Sequence, residues 1–327
     1  MSKKNKLKQQ ETPSDGVLFR PSSKKQEQFI QSKAFITCFG GAAMSGKAQP
    51  LYSKVLTPDG WKTMGEIEVG DEVVSPNNTN AKVLNTYFHK QKDIYEITTQ
   101  SGAVVRACNE HLWEVNVSKP KYKSATEVCN TDQIVDYMKQ GRHVYLPVCD
   151  AIGSNEDYDL PIDPYVLGVL IAEGGLTTGY PNFSNNDPEL IDRVSKWFKP
   201  QGYELSPTKD GITFRVKNIE PHNDTRNDKG QFTKTNKFVQ ILKDLGLSYT
   251  NSYTKFIPED YLYKASISQR LELLKGLMDS DGTISESLTC EYSTSSDKLQ
   301  QDVCYLVRSL GGIARVTSRY PTYNYKG

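Results

Sequence analysis

A glycine-rich loop near the start of the chain has the residue types needed to hold phosphate groups. Gly41, Gly46 and Lys47 fill the G-x-x-x-x-G-K places of a phosphate loop, where backbone N–H groups wrap phosphate oxygens and the lysine neutralises them. The apolar run 34–39 predicts the buried strand that precedes such loops. The pattern stops at Ala48, where a Ser or Thr hydroxyl would hold magnesium, and turn residues follow instead of a helix. Two interpretations remain: a chance glycine loop, or a loop interrupted by an insertion after Lys47.

A second feature is a duplicated pattern in which an apolar helix ends in an acid followed by glycine. Residues 164–175 hold the first copy, with Glu173 as the acid, and residues 269–282 hold the second, with Asp281. An amphipathic helix and then strands follow each copy. The duplication predicts two half-domains related by a pseudo-dyad. For either acid alone, a helix-terminal carboxylate before a capping glycine is the ordinary structural interpretation.

The residues between these two features favour β-structure. Short β-branched and aromatic runs alternate with Pro-Asp-Gly, Val-Gly-Asp and Ser-Pro-Asn-Asn turns from residue 48 to about 150. This pattern predicts an all-β module of roughly 100 residues. The predicted strands are 53–57, 71–75, 82–88, 94–98, 104–106 and 143–146.

The composition limits the class of protein. The chain has 327 residues, 40 Lys+Arg and 39 Asp+Glu, which excludes a charged tail and a wholly disordered chain. Neither an apolar run of about 18 residues nor a secretory signal is seen, so we expect a cytoplasmic protein without a membrane partner. The six cysteines are scattered without a C-x-x-C pair, which supports neither a disulfide scaffold nor a structural zinc site.

The duplicated pattern resembles the LAGLIDADG motif of homing endonucleases, over 166–174 and 274–282. The segment 255–258, Lys-Phe-Ile-Pro, resembles the K-x-I-P block that such enzymes carry before the second copy. The resemblance implies an α/β fold with the order αββαββα used twice, whose strands form a saddle for double-stranded DNA. Gly168 and Gly276 would let the two helices pack closely.

The same resemblance assigns roles to the two acids. Close packing of the helices would bring Glu173 and Asp281 together, and two facing carboxylates are costly unless a divalent cation neutralises them. Hard oxygen ligands suit Mg²⁺, so the pair would bind Mg²⁺, activate water and stabilise the leaving oxygen on each DNA strand. Lys255 would help to neutralise a phosphate.

The β-rich segment resembles an intein, a self-splicing insert. Residues 48–73 match an opening intein block, and residues 101–113 match the second block, with Cys108 where Thr is usual and His111 as the motif histidine. That histidine would polarise the upstream scissile peptide and protonate its amine. Ala48 stands where Cys or Ser normally attacks the preceding carbonyl, so the nucleophile is lacking. Either this intein starts without one, or the position is a natural or engineered loss.

The residues before the insertion resemble the start of a viral DNA-packaging terminase large subunit. This resemblance covers residues 20–47 and makes Gln26 the candidate for reading adenine. Splicing would join Gly41, Gly46 and Lys47 to a downstream Ser or Thr, so the host protein would bind ATP only after splicing. Because the closing intein blocks are missing, we expect a C-terminal intein and extein segment supplied in cis or in trans.

A cationic surface for DNA is predicted on the strands that follow each helical copy. Basic residues alternate there with apolar ones, which gives a sheet one wet, cationic face. One of these strands is predicted over 313–320. The candidate DNA-binding residues are Lys209, Arg215, Lys217, Arg315 and Arg319.

These features divide the chain into three parts. Residues 1–47 are the N-extein leader and 48–150 the N-terminal part of an all-β Hint splicing module. Residues 151–327 are the endonuclease, with half-repeats at about 161–254 and 255–327, the second incomplete. The leading hypothesis is an enzyme that cuts uninterrupted host DNA and splices when completed. The alternatives are a splicing-deficient or decayed module that binds DNA without cutting, and an ATPase.

Overall fold

The computed structural model describes residues 49–74, 80–88, 92–119, 122–178, 180–219, 236–286 and 288–319. The predicted phosphate loop with Gly41, Gly46 and Lys47 lies outside these residues, as do Gln26 and Ala48. The interpretations given to them remain predictions. No helix in the described ranges is both long enough and apolar enough to cross a bilayer.

The first part of the described chain is built from antiparallel hairpins. Strands β1 and β2, β3 and β4, and β5 and β6 form two-stranded sheets, while β8, β7 and β9 form a three-stranded sheet in that order. The strands are β1 Lys54–Thr57, β2 Gly60–Thr63, β3 Glu72–Val74, β4 Asn80–Lys82, β5 Ile94–Thr98, β6 Val104–Cys108, β7 Leu112–Lys119, β8 Tyr122–Asn130 and β9 Val144–Tyr145.

Two sequence predictions for this part are wrong in detail. The all-β expectation fails at α1, Thr131–Lys139, because Asn130 and Gln133 form a reciprocal capping box that starts a helix directly after β8. The strand predicted over 82–88 continues only to Lys82. Val83 still exchanges backbone hydrogen bonds with Gly70 and Asp71. Residues 84–88 pair with no strand of the described chain, and three of their apolar side chains are exposed.

The second part begins with a full αββαββα unit. Its elements are α2 Pro164–Glu173, β10 Gly174–Gly175, β11 Asn182–Ser184, α3 Pro188–Phe198, β12 Tyr203–Pro207, β13 Thr213–Asn218 and α4 Lys237–Asp244. The four strands form one antiparallel sheet in the order β10-β11-β13-β12. The predicted order of elements is therefore confirmed for the first copy.

The second copy repeats the first half of that order. It contains α5 Ile267–Asp281, β14 Gly282–Ile284, β15 Cys290–Tyr292 and α6 Asp297–Ser309. The strand predicted over 313–320 is wrong for residues 313–319, which are irregular. A strand needs a hydrogen-bonding partner, and no strand in the described ranges pairs with this stretch.

A single large core holds the two copies together. Helix α2 is buried on nearly all sides, so it lies inside the unit rather than on its surface. Its side chains pack with the buried faces of α3, α5 and α6. Tyr261 joins the copies by polar contacts, since its hydroxyl donates to the Ile162 carbonyl (2.7 Å) and accepts from the Ile162 N–H (2.9 Å).

Candidate active site at the ends of two packed helices

Helices α2 and α5 pack with their backbones in direct contact, as the glycines in the duplicated motif predict. A Cβ added to Gly168 would lie 2.5 Å from the Leu273 carbonyl oxygen and 2.8 Å from the Leu277 nitrogen. A Cβ added to Gly276 would lie 2.1 Å from the Tyr165 carbonyl oxygen. Only glycine allows this approach at either position, so the crossing point of the helices is fixed by two residues.

Each helix ends at one of the two predicted acids and runs directly into a strand. The N–H of Gly174 donates to the Leu170 carbonyl, and the N–H of Gly282 donates to the Met278 carbonyl. Both glycines have extended backbones, with φ of −67° and −80°, so neither is a left-handed cap. A side chain on Gly174 would meet the Leu170 oxygen at 2.1 Å. Both glycines therefore occupy C-cap positions directly after the acids, with an extended backbone that continues into the strand.

The two carboxylates lie in a desolvated setting and act on each other. Burial raises the pKa of Glu173; the Asn185 amide lowers this pKa, nearby Asp281 raises it and Lys255 lowers it, with a net upward shift. Burial also raises the pKa of Asp281, with Lys255 opposing the shift. Asp281 keeps solvent access, so the surrounding protein removes only part of its hydration. Both acids are harder to ionise than in water, which is a setting that favours a bound cation.

Lys255 lies near both acids, since the charges of Asp281 and Glu173 both act on its ammonium. It is 8% exposed, and its Nζ donates to the Ala172 carbonyl at 2.8 Å, one residue before Glu173. Burial lowers the pKa of Lys255, and the charges of Asp281 and Glu173 act in the opposite direction. The structure thus brings three predicted site residues together.

Asn185 is a site residue that the sequence analysis missed. Its Nδ2 donates to Glu173 Oε2 at 2.9 Å, and its own N–H donates to the Ile212 carbonyl. Asn185 follows β11 directly, and Ser293 holds the corresponding place after β15. The signal in the sequence was an amide residue between a strand and the helix cap Asp187. The two acids therefore have different surroundings, since Glu173 has an amide partner.

The donor set fits a hard divalent cation in type. The two carboxylates supply the oxygen ligands that Mg²⁺ prefers, at the negative ends of two helix dipoles. In the residues that the structure describes, no group of three or more His, Cys, Asp or Glu side chains is placed to hold a metal ion. Any ion here would thus take two protein carboxylates and fill its remaining positions from water or substrate.

Two of the predicted DNA-binding residues lie on the exposed face of the four-stranded sheet, where Lys217 is opposite Glu204. Arg215 and Lys217 are exposed on β13, while the alternate residues Phe214 and Val216 pack against the core. Arg215 lies opposite Asn182 and Ser206 on the neighbouring strands, so this face is polar across three strands.

The remaining candidates for DNA contact lie outside the strands. Lys209 is exposed in the turn between β12 and β13. Arg315 and Arg319 are exposed but lie on the irregular stretch, where Arg319 approaches Glu291 at 3.9 Å. For these two residues, the expected alternation with apolar residues on a strand is wrong.

His111 and Cys108 lie together in the hairpin part of the chain. Both are buried, and the His111 N–H donates to the Cys108 carbonyl at 3.1 Å. The ring of Trp113 packs edge-on against the imidazole with centroids 4.8 Å apart. Thr131 connects Cys108 to Trp113, because its hydroxyl donates to the Cys108 carbonyl (2.8 Å) and accepts from Trp113 Nε1 (2.9 Å).

The start of the described chain approaches the strand that leads to His111. The guanidinium of Arg106 on β6 lies 5.9 Å from the centre of the Tyr52 ring. Leu51 accepts a hydrogen bond from the Gly65 N–H, which ties the first described residues to the β1–β2 hairpin. Residues just after Ala48 and the strand before His111 therefore share one neighbourhood.

Comparison with known proteins gives one family match and three relatives. The family described as a LAGLIDADG-like domain matches residues 268–327. The chain is 27% identical over 286 residues to the replicative DNA helicase DnaB of Mycobacterium intracellulare, covering 81% of this chain and 43% of the helicase. It is 29% identical over 167 residues to the homothallic switching endonuclease of Saccharomyces cerevisiae, covering 47% of this chain and 28% of that protein.

A second replicative helicase is similar over a shorter stretch. The DnaB protein of Mycobacterium leprae is 35% identical over 69 residues, which are 21% of this chain and 11% of the helicase. The chain spans less than half of the length of each of these relatives.

Proposed function

We propose that residues 151–327 form a site-specific endonuclease for double-stranded DNA, inserted in an intein whose N-terminal part is 48–150. The observation that carries the nuclease is the meeting of Glu173, Asp281 and Lys255 where the two glycine-packed helices end. The match to a LAGLIDADG-like domain and the similarity to a switching endonuclease support the same conclusion.

The reaction would use the two acids as a shared cation site. Glu173 and Asp281 would hold Mg²⁺, which supplies neutralisation of the scissile phosphate and a lowered pKa for an attacking water. Asn185 donates a hydrogen bond to Oε2 of Glu173, which would leave Oε1 to bind the cation. Lys255 keeps a cationic ammonium beside both acids, where it would compensate negative charge that develops on the phosphate.

DNA would lie along the polar face of the sheet. Exposed Arg215 and Lys217 would contact phosphates, with Lys209 at the end of the same strands. Contacts by Arg315 and Arg319 would come from the irregular stretch after α6 instead. We propose that the sheets of the two copies together form the saddle.

The hairpin part would carry the splicing chemistry as a Hint-type fold. Buried His111 would act on the peptide that precedes residue 48, and the approach of Tyr52 to the strand before His111 supports this role. Cys108 and Thr131 would set the position of the segment that carries the imidazole. The C-terminal intein and extein segment would complete the reaction in cis or in trans.

For the host protein we propose a terminase large subunit, on the resemblance of residues 20–47. The similarity to two replicative helicases favours a helicase as the second candidate. In either host, excision after Lys47 would rejoin the phosphate loop with Gly41 and Gly46, and ATP would bind only to the spliced product.

Cleavage of a defined DNA tests the nuclease. The substrate is a duplex that joins the host coding sequence on both sides of the Lys47 codon, and the control duplex carries the insertion. We expect Mg²⁺-dependent cutting of the joined duplex alone, and loss of cutting in Asp281→Asn and in Glu173→Gln. Specific binding without any cut or nick would instead support the non-cutting DNA-binding module, which the irregular 313–319 stretch favours as the second candidate.

Restoring a nucleophile tests the splicing role. In Ala48→Cys, the thiol can attack the Lys47 carbonyl and form a thioester while the 47–48 peptide bond breaks and its nitrogen takes a proton. An added thiol then takes the acyl group and releases the thiol of residue 48. We expect release of a fragment of residues 1–47, and no release when His111→Ala is added. Release that is unaffected by His111→Ala would contradict the assigned role of the histidine.

A further inference from the structure

The backbone that carries Lys255 has no regular secondary structure. Residues 255–258 form an irregular stretch, and Lys255, Ile257 and Pro258 are buried. Buried backbone N–H and C=O groups need partners, and an irregular stretch finds none within itself. The position of the Lys255 side chain therefore depends on what holds this stretch.

Helix α6 supplies the missing partners from two side chains. The Ser296 hydroxyl donates to the Lys255 carbonyl at 2.7 Å and accepts from the Leu299 N–H at the helix start. One turn and a half further along, Asp302 Oδ2 accepts from the Ile257 N–H at 3.0 Å. Both side chains are buried, and they fix the backbone directly after the lysine.

The backbone N–H and the ammonium of Lys255 both bond to residues of the first copy. Its N–H donates to the Asn251 carbonyl at 3.0 Å, and its Nζ donates to the Ala172 carbonyl at 2.8 Å. Hydrogen bonds therefore connect α6 to the 255–257 backbone, and the Lys255 side chain connects this backbone to the end of α2, next to Glu173.

The buried carboxylate of Asp302 by itself is unfavourable for the stability of the fold. It is 3% exposed, and removing a carboxylate from water is unfavourable unless its partners compensate. Its charged partner Lys298 is 56% exposed, so water competes with the carboxylate for the ammonium. An apolar side chain would fill this buried helix position at lower cost, so the carboxylate is better explained by what its second oxygen holds.

We propose that Asp302 is a positioning residue for Lys255. Its carboxylate fixes the Ile257 N–H, and this holds the lysine ammonium against the Ala172 carbonyl at the end of α2, near both acids. The consequence for cleavage rests on the proposed nuclease function, while the consequence for the placement of Lys255 does not.

Three variants separate this role from a general structural one. Asp302→Asn keeps an oxygen acceptor for the Ile257 N–H, Asp302→Leu fills similar space without an acceptor, and Lys298→Gln removes only the ion pair. In DNA-free protein, the acetylation of Lys255 at one fixed pH is measured by mass spectrometry, with the exposed lysines Lys196 and Lys275 as internal references. With DNA, affinity and single-turnover cleavage rate are measured separately.

We expect Asp302→Leu to increase Lys255 acetylation severalfold and to lower the cleavage rate by about 10²-fold, the cost of a displacement of roughly 1 Å, with DNA affinity retained. Asp302→Asn and Lys298→Gln should behave like the unmutated protein. Folded Asp302→Leu with unchanged Lys255 labelling would overturn the proposal. An equal loss in Asp302→Asn would also overturn it, because this variant keeps the oxygen acceptor for the Ile257 N–H, and that outcome can be measured even if Asp302→Leu does not fold.

The two failures are distinguishable. If the unmutated protein does not cut DNA while Asp302→Leu exposes Lys255, the nuclease function fails and the positioning role stands. If the unmutated protein cuts DNA and Asp302→Leu leaves the acetylation of Lys255 unchanged, the positioning role fails and the nuclease function stands.

Discussion

Replacing either interhelical glycine by alanine should destabilise the protein, although alanine is the better helix former. In an exposed helix, Gly→Ala stabilises by roughly 0.5–1 kcal/mol. In Gly168→Ala, the new methyl group would lie 2.5 Å from the Leu273 carbonyl oxygen, and in Gly276→Ala it would lie 2.1 Å from that of Tyr165. A loss of stability on Gly→Ala would therefore show that contact between the helix backbones dominates, whereas a gain would show that helix propensity dominates.

The size of the effect follows from how far the helices must move. An ordinary carbon-to-oxygen contact is about 3.3–3.6 Å, so relief requires a separation of roughly 1 Å at the crossing point. The obstructing atoms are backbone atoms, which cannot rotate away as a side chain can. Overpacking of a tight core costs about 1–3 kcal/mol, and we expect a net loss near the upper end, about 2–3 kcal/mol, for each variant.

Urea unfolding and DNA cleavage measure the two consequences. Ser195→Ala on α3 is the control, because it adds alanine to a helix away from the crossing point and should leave stability within about 0.5 kcal/mol. Since a misplacement of roughly 1 Å can cost about 10²-fold in rate, Gly168→Ala should also cut DNA far more slowly. Equal or higher stability of Gly168→Ala and Gly276→Ala would refute the close contact of the two helices.

Three further predictions concern the acids and the polar face. Burial raises the pKa of Glu173 and of Asp281, so the stability they contribute is fully present below their unfolded-state pKa and is lost as the pH rises through the folded-state pKa. In metal-free urea titrations, Glu173→Gln and Asp281→Asn should therefore be more stable than the unmutated protein only at a pH above the folded-state pKa of the replaced acid. Equal stability at every pH would contradict this. Asn185→Ala removes a hydrogen bond that lowers the pKa of Glu173, so carboxyl NMR titration should give a still higher pKa for this acid, and an unchanged value would exclude the bond. Arg215→Ala and Lys217→Ala should each reduce the slope of log affinity for DNA against log salt by about 1, and an unchanged slope would exclude a phosphate contact.

The sequence predicted best what depends on repeated local patterns. The two helix–acid–glycine copies and the amphipathic helix after each copy are present in the structure. Failures occurred where an element needs a distant partner. Residues 84–88 and 313–319 have strand-like composition, but a strand forms only when another strand offers its hydrogen bonds, and composition cannot show that.

The site was predictable only in part, for a similar reason. Glu173, Asp281 and Lys255 stand in recognisable patterns, whereas Asn185 and Asp302 reach the site through the packing of other elements. Asp302 lies in no pattern that marks it, and the signal for Asn185 is its place between a strand and the helix cap Asp187. Residues whose role is to hold another residue become visible only when distances between atoms are known.

The unequal surroundings of the two acids have a consequence for the order of events on DNA. One acid is a glutamate fixed by an amide, the other is a more exposed aspartate, and a single buried ammonium acts on both. A nuclease built this way has no true two-fold symmetry, so the scissions of the top and bottom strands need not share one rate constant. The slower scission would then set the lifetime of a nicked intermediate, and a supercoiled plasmid substrate would pass through its open circular form before it becomes linear.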